Sequence, residues 1–169
     1  MSAPTSRCFA PAVTPGIRLL ILGSLPGERS LIEQQYYAHP RNQFWRLVGD
    51  LVGEGLPNLD YAARLARLNT RSIGLWDVVA CAVRPGSLDQ HLRAIVPNPL
   101  ATLVASLPEL RAIAFNGSTA SRIGRREIAA WKGVGTPELI DLPSSSPAYT
   151  LPYARKVEVW RTLTAWLTD

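Results

Sequence analysis

Cysteine and histidine are scarce in this sequence, with two of each among 169 residues. Cys8 and Cys81 are too few for a disulfide framework or a four-cysteine metal or iron–sulfur site, and such sparing use fits a reducing cytoplasm. His39 and His91 are too few for a histidine-rich metal centre. No metal centre is therefore expected, and nothing in the sequence implies an organic cofactor. Long apolar runs are missing too. None approaches the roughly 20 residues that a membrane-spanning helix needs, so no membrane partner is expected. The first 15 residues lack a charged start followed by an apolar core, so no signal peptide is expected. Their Pro, Ala, Ser and Thr content reads instead as a flexible arm over residues 1–16.

Acidic residues are outnumbered, 13 against 18 basic ones, which gives a formal charge of +5 and a pI near 9.7. A basic excess favours a polyanionic partner, nucleic acid above all. Eight of the 18 basic residues are the arginines from Arg41 to Arg93 together with Arg111. Hydrophobic residues make up 47% and charged residues 18% of the chain. That balance predicts one globular domain over residues 17–169, long enough to bury a core.

The chain is organised around Leu19-Leu20-Ile21-Leu22, an apolar run that suits a strand covered on both faces. Gly23-Ser24-Leu25-Pro26-Gly27 follows as a tight turn into a short helix over residues 28–35. Glu28 there complements the helix dipole. A loop pinned by His39-Pro40 comes next. A helix over 43–52 has apolar residues at helical spacing, and Asn42 is placed to cap it. Residues 53–58 break the chain before a helix over 60–68, with Asp60 as its cap.

Ile73 to Val79 predicts a second strand, ending in a loop over 80–86. Ser87 and Gln90 have capping-box spacing ahead of Leu92, Ile95 and Val96. Asn98-Pro99 reads as a cap and first position of a helix running to Leu107. A third strand spans 110–115, and a helix follows to Trp131. After a break over 133–137, a fourth strand covers 139–142. It ends in Pro143-Ser144-Ser145-Ser146-Pro147-Ala148-Tyr149, and a last helix spans 152–167. Alternating strands and helices predict an α/β fold of three layers, α/β/α, with a mostly parallel sheet of about four strands. Three unusual loops, 23–27, 77–86 and 143–149, then gather at one sheet edge, where ligands of such folds bind.

Those loops together resemble the uracil-DNA glycosylase superfamily, and most of all its hypoxanthine-DNA (deoxyinosine) glycosylases. Gly23-Ser24-Leu25-Pro26-Gly27 looks like the first motif of that superfamily. Tyr37-Ala38-His39-Pro40-Arg41-Asn42-Gln43-Phe44-Trp45 resembles the segment that follows it in the mismatch-specific branch. Asp77-Val78-Val79-Ala80-Cys81 through Arg84-Pro85 is similar to the base-reading strand end. Leu142-Pro143-Ser144-Ser145-Ser146-Pro147 resembles the second motif. The likeness covers about residues 17–166.

The sequence departs from the general superfamily at three positions. Leu25 stands where a water-activating Asp, Glu or Asn is usual, Asp77 where a base-reading Asn is usual, and Leu142 where the second motif has His. The deoxyinosine branch shows these departures, and the resemblance puts its catalytic Asn at Asn42. The Asn42 side-chain oxygen would orient a water toward C1′ as the glycosidic bond opens through an oxocarbenium-like state. A helix cap is the other role open to it. Tyr37 would stack on the flipped base. Gly23, Ser24, Leu25, Pro26 and Gly27 would line the base site, or form a plain strand-to-helix turn. Asp77 would accept the N1–H of hypoxanthine, a hydrogen that adenine lacks, or would cap the following loop.

Ser144, Ser145 and Ser146 would grip phosphates beside Pro147 and Ala148, with Ala148 and Tyr149 placed to fill the vacated stack. Arg41 and Arg84 are further candidate phosphate contacts. The resemblance thus implies a monofunctional glycosylase, monomeric and cytoplasmic, acting on double-stranded DNA that carries a deaminated base. Two alternatives stay open. One is a mismatch uracil/thymine or broad deaminated-base glycosylase, and the other is a non-catalytic DNA- or nucleotide-binding module.

Overall fold

The structure is a computed structural model that describes residues 4–131 and 135–168. Residues 1–3 of the expected arm, residue 132, residues 133–134 of the expected break and Asp169 lie outside the described residues. The chain runs through β1 (Thr5–Arg7), β2 (Leu19–Gly23), α1 (Glu28–Glu33), α2 (Phe44–Val52), α3 (Tyr61–Thr70), β3 (Ile73–Asp77) and β4 (Val79–Val83). It continues through β5 (Arg93–Pro97), α4 (Leu100–Ala105), β6 (Ala112–Asn116), α5 (Ser118–Ala129), β7 (Glu138–Leu142) and α6 (Tyr153–Trp160). Among the described residues, no helix is long and apolar enough to cross a membrane.

The apolar run becomes β2, every residue of which is buried. It lies inside a four-strand sheet of order β3-β2-β6-β7, in which each neighbouring pair is parallel. Side chains alternate across a strand, so the run is split between two cores. Leu19 and Ile21 join Leu75 and Ala114 beneath α2, α3 and α6. Leu20 and Leu22 join Ile113 and Phe115 beneath α4 and α5. Each such leucine contributes about 1.5–3 kcal/mol by leaving water. Gly124 lets α5 close on the sheet, because a Cβ there would come within 2.3 Å of the Phe115 ring. The expected three layers are therefore present. Because the sheet is parallel, the tips of β2, β3, β6 and β7 share one edge.

A second sheet, β1-β4-β5, was not expected. Thr5–Arg7 pairs antiparallel with β4, Ala12 bridges Leu75, and the Trp76 indole donates to the Phe9 carbonyl at 2.9 Å. From residue 5 the arm is thus paired with the domain, where its composition had suggested a flexible segment. The expected loop 80–86 is strand up to Val83. The spacing of Leu92, Ile95 and Val96 leads to no α-helix. After a 3-10 turn at Asp89–His91, the chain enters β5, antiparallel to β4. Only Leu92 of the three is buried, and the pairing edge of β4 outweighs the helical spacing.

Asn98 does not cap α4. It donates to the Asp77 carbonyl at 2.8 Å, and α4 begins after Pro99. Asp60 does cap α3, accepting from the Ala63 N–H at 2.8 Å. The last helix stops at Trp160 and continues as a 3-10 turn, Arg161–Trp166.

Candidate active site

The strand tips surround a cavity of about 870 Å³. Its walls bring together the turn 23–27, Tyr37, Asn42, Asp77 and the loop 144–149. Gly23 ends β2 directly opposite Asp77 on β3. A Cβ on Gly23 would lie 2.7 Å from Asp77 Oδ1 and 2.8 Å from the Tyr37 hydroxyl. The glycine therefore permits an acid and a tyrosine to converge on one backbone point.

Asp77 is 3% exposed, and its Oδ2 has no hydrogen-bond partner among the described residues. Burial, and then the Asp89 charge, push its pKa up to about 7, against the pull of Arg84. The Tyr37 hydroxyl is also buried and without a partner. Burial and Asp77 raise its pKa, while the nearby Asn116 side chain pulls the other way without completing a hydrogen bond.

Tyr37 has a left-handed backbone, φ 54°, an uncommon state for a bulky residue. Its ring stacks on Phe44 at 3.8 Å with 14° between planes. The neighbouring Ala38 N–H donates to Ser30 Oγ at 3.1 Å. Tyr36, next to it, also touches the cavity but is 4% exposed and packed in the core, whereas Tyr37 is half-buried.

Asn42 is half-buried on the cavity wall, and its Oδ1 accepts the Phe44 N–H at 3.0 Å. The N-cap of α2 is Gln43, so Asn42 stands one residue ahead of the cap that the sequence suggested and serves the helix through this bond instead. The side chain ties down the first turn of α2, and a carbonyl oxygen retains a second lone pair for another donor. The turn before it is closed by the Asn42 N–H on the His39 carbonyl and by the Arg41 N–H on His39 Nδ1.

Two expected phosphate contacts are corrected. Arg84 is 2% exposed, and its guanidinium donates to the Leu25 and Pro26 carbonyls and pairs with Asp89. It holds the turn and cannot reach a phosphate. Ser145 is 1% exposed. The Asn116 amide donates to Ser145 Oγ at 2.8 Å, the Ser145 N–H donates to Asn116 Oδ1 at 2.9 Å, and the Gln43 N–H donates to the Ser145 carbonyl at 2.9 Å. Ser145 thus fastens the loop to β6 and to the start of α2.

Ser144 and Ser146 remain on the cavity wall with Pro147 and Ala148. Each of these two serines accepts an N–H two residues on, a local turn that stiffens the loop. Arg41 is exposed on the wall, and Tyr149 is 48% exposed beside it.

Sequence reasoning missed Asp89 and Asn116. Asp89 lay within the presumed capping box. Asn116 lay before a Gly that marked only a turn. Among the described residues, no three His, Cys, Asp or Glu side chains gather where a metal ion could sit.

Comparison with known proteins bears on the family and the fold. The model of the family described as the uracil DNA glycosylase superfamily matches residues 10–167. A protein of Methanosarcina acetivorans named hypoxanthine DNA glycosylase is 41% identical over 142 residues, 84% of this chain and 87% of that protein. One of the same name from Methanosarcina barkeri is 41% identical over 109 residues, 64% of this chain and 69% of that protein. The solution NMR structure of a candidate uracil DNA glycosylase from Methanosarcina acetivorans superposes with a TM-score of 0.83 at 35% identity. The match covers 97% of this chain and 99% of that one.

Proposed function

This chain belongs to the uracil DNA glycosylase superfamily, and we propose that within it the protein is a monofunctional, monomeric deoxyinosine glycosylase that excises hypoxanthine from double-stranded DNA. The observation that carries this reading is the meeting of Asn42, Tyr37 and Asp77 around one cavity at the strand tips. The two relatives named hypoxanthine DNA glycosylase support it.

In this reading the extruded base enters over the turn Gly23-Ser24-Leu25-Pro26-Gly27. Phe44 already covers one face of Tyr37 and fixes the ring, so the base stacks against the other face. The Asp77 carboxylate accepts the N1–H of hypoxanthine. Adenine presents a bare N1 at that place and would leave a buried acceptor unpaired, a large penalty. The Leu25 side chain carries no polar atom, so it cannot hold the attacking water. In this reading Asn42 Oδ1 would hold that water with the lone pair that the Phe44 N–H leaves free.

As the bond to the base stretches, positive charge grows on the sugar. A positioned water then attacks C1′ without needing a strong base. The base leaves with the bonding electrons and takes up a proton, and an abasic sugar remains. Lys156, the lysine among the described residues, donates to the Ser146 carbonyl at 3.4 Å and is not part of the cavity wall. Among the described residues no lysine lines the cavity, which supports hydrolysis without strand cleavage. Arg41, Ser144 and Ser146 would meet the flanking phosphates, with Pro147 and Ala148 against the backbone.

The test is excision from duplexes carrying inosine, uracil or xanthine, read as alkali-dependent nicks. Inosine is expected to be cut at least about tenfold faster than uracil. Equal or faster uracil cutting would favour a broad deaminated-base enzyme. Binding of the inosine duplex without cutting would favour a non-catalytic module.

A further inference from the structure

The segment 84–91 grips the turn at the cavity floor at several points. The buried Arg84 guanidinium donates to the carbonyl oxygens of Leu25, at 3.4 Å, and Pro26. Asp89 pairs with the same guanidinium at 3.2 Å. The Ser24 hydroxyl lies 2.8 and 2.7 Å from the two carboxylate oxygens of Asp89. One residue beyond the turn, the Glu28 N–H donates to Ser87 Oγ at 2.9 Å. A chain that already has Gly23, Pro26 and Gly27 in this turn has little need of a buried cation to stop there, and burying one is costly unless it is well paired. Its partners are all turn carbonyls or the acid that holds the turn's own serine.

We propose that Arg84 and Asp89 are positioning residues for base excision, holding the Ser24–Gly27 turn in the shape that receives the extruded base. This rests on the glycosylase reading above. The pair has a second effect. Arg84 and Asp89 also face Asp77 with opposite charges, and Asp89 favours the protonated acid while Arg84 opposes it. The other titratable groups around Asp77 are Tyr37, Tyr36 and Cys8, all shifted upward and neutral near pH 7. Removing the Asp89 charge therefore moves the ionisation of Asp77 downward. A merely loosened turn would not do that.

The experiment is single-turnover excision of hypoxanthine across pH, with amide hydrogen exchange at Leu25, Gly27 and Glu28. It compares wild type, Asp89→Asn, Asp89→Glu and the milder Ser24→Ala. Asp89→Asn is expected to cut about tenfold more slowly while binding the inosine duplex within about threefold of wild type. Its acid limb moves to lower pH, and the three amides exchange faster. Ser24→Ala loses part of the rate with the acid limb unmoved, and Asp89→Glu recovers most of the rate. Wild-type rate and exchange in Asp89→Asn would overturn the proposal, and so would a slowed variant whose acid limb stays in place. If wild type leaves inosine uncut, the glycosylase reading fails, and the amide exchange still decides whether this segment holds the turn.

Discussion

Gly23 and Asp77 face each other across the parallel register of β2 and β3, and the space that a Cβ on Gly23 would fill is taken by Asp77 Oδ1 at 2.7 Å. The Tyr37 hydroxyl closes on the same point at 2.8 Å. Strand pairing therefore delivers the acid to the cavity, and the missing side chain opposite lets it stay. Gly23→Ala would push one of the two aside, at about 1–3 kcal/mol in strain. Excision of hypoxanthine should fall about a hundredfold with the fold retained by circular dichroism. An unchanged rate would mean that this convergence does not shape the base site.

Asp77 also makes the protein sensitive to pH. Its folded pKa of about 7 lies above the ordinary 3.8. Between those values the folded chain holds a proton that the unfolded chain has lost, so stability from this group falls as pH rises. The full effect is about 4 kcal/mol at most. Asp77→Asn has no charge to desolvate. It should melt above wild type at pH 8, with a smaller difference at pH 5. Because the carboxylate is the form that accepts N1–H, wild-type excision should show an acid limb near pH 7 that this variant lacks. A melting difference that does not vary with pH would contradict the assignment.

Asn116→Ala removes the two hydrogen bonds that fasten Ser145 to β6. A buried hydroxyl and a main-chain N–H lose their partner, which costs about 1–3 kcal/mol. The lowered urea midpoint should come with faster amide exchange in residues 144–149 and weaker binding of the inosine duplex. Unaltered exchange in that loop would show that Asn116 does not hold it.

Arg41 and Arg84 should behave differently toward salt. Arg41 is exposed at the cavity, whereas Arg84 is 2% exposed and spent on the turn. Arg41→Gln should reduce the slope of log affinity against log salt by about one. Arg84→Met should leave that slope unchanged while lowering the urea midpoint, because Asp89 loses its partner. A reduced slope for Arg84→Met would reinstate it as a phosphate contact.

The central architecture was legible because its signals are local. The run Leu19–Leu22 has only one good home, a strand covered on both sides, and the turn after it punctuates the chain. Asp60 carries its capping role in its own neighbourhood. The small sheet was not legible, because Thr5–Arg7 finds its partner in Cys81–Val83, far along the chain. The spacing of Leu92, Ile95 and Val96 suits a helix as well as a strand, and only the waiting edge of β4 decides. At the site, nothing in the sequence marks which arginine turns inward or which of three successive serines is locked. Arg84 is told apart from Arg41 by its contacts with Leu25, Pro26 and Asp89, and Ser145 from Ser146 by its contacts with Asn116. The place of Asn42 on the cavity wall was legible through its motif, and its bond to Phe44 through its place before α2.

The most direct measurement is single-turnover excision from an inosine duplex by wild type and Asn42→Ala, with duplex affinity measured alongside. The expected result is a fall of at least about a hundredfold in the rate of abasic-site formation with affinity within about threefold of wild type. Asn42→Ala cutting at the wild-type rate would contradict the claim that this amide aims the attacking water.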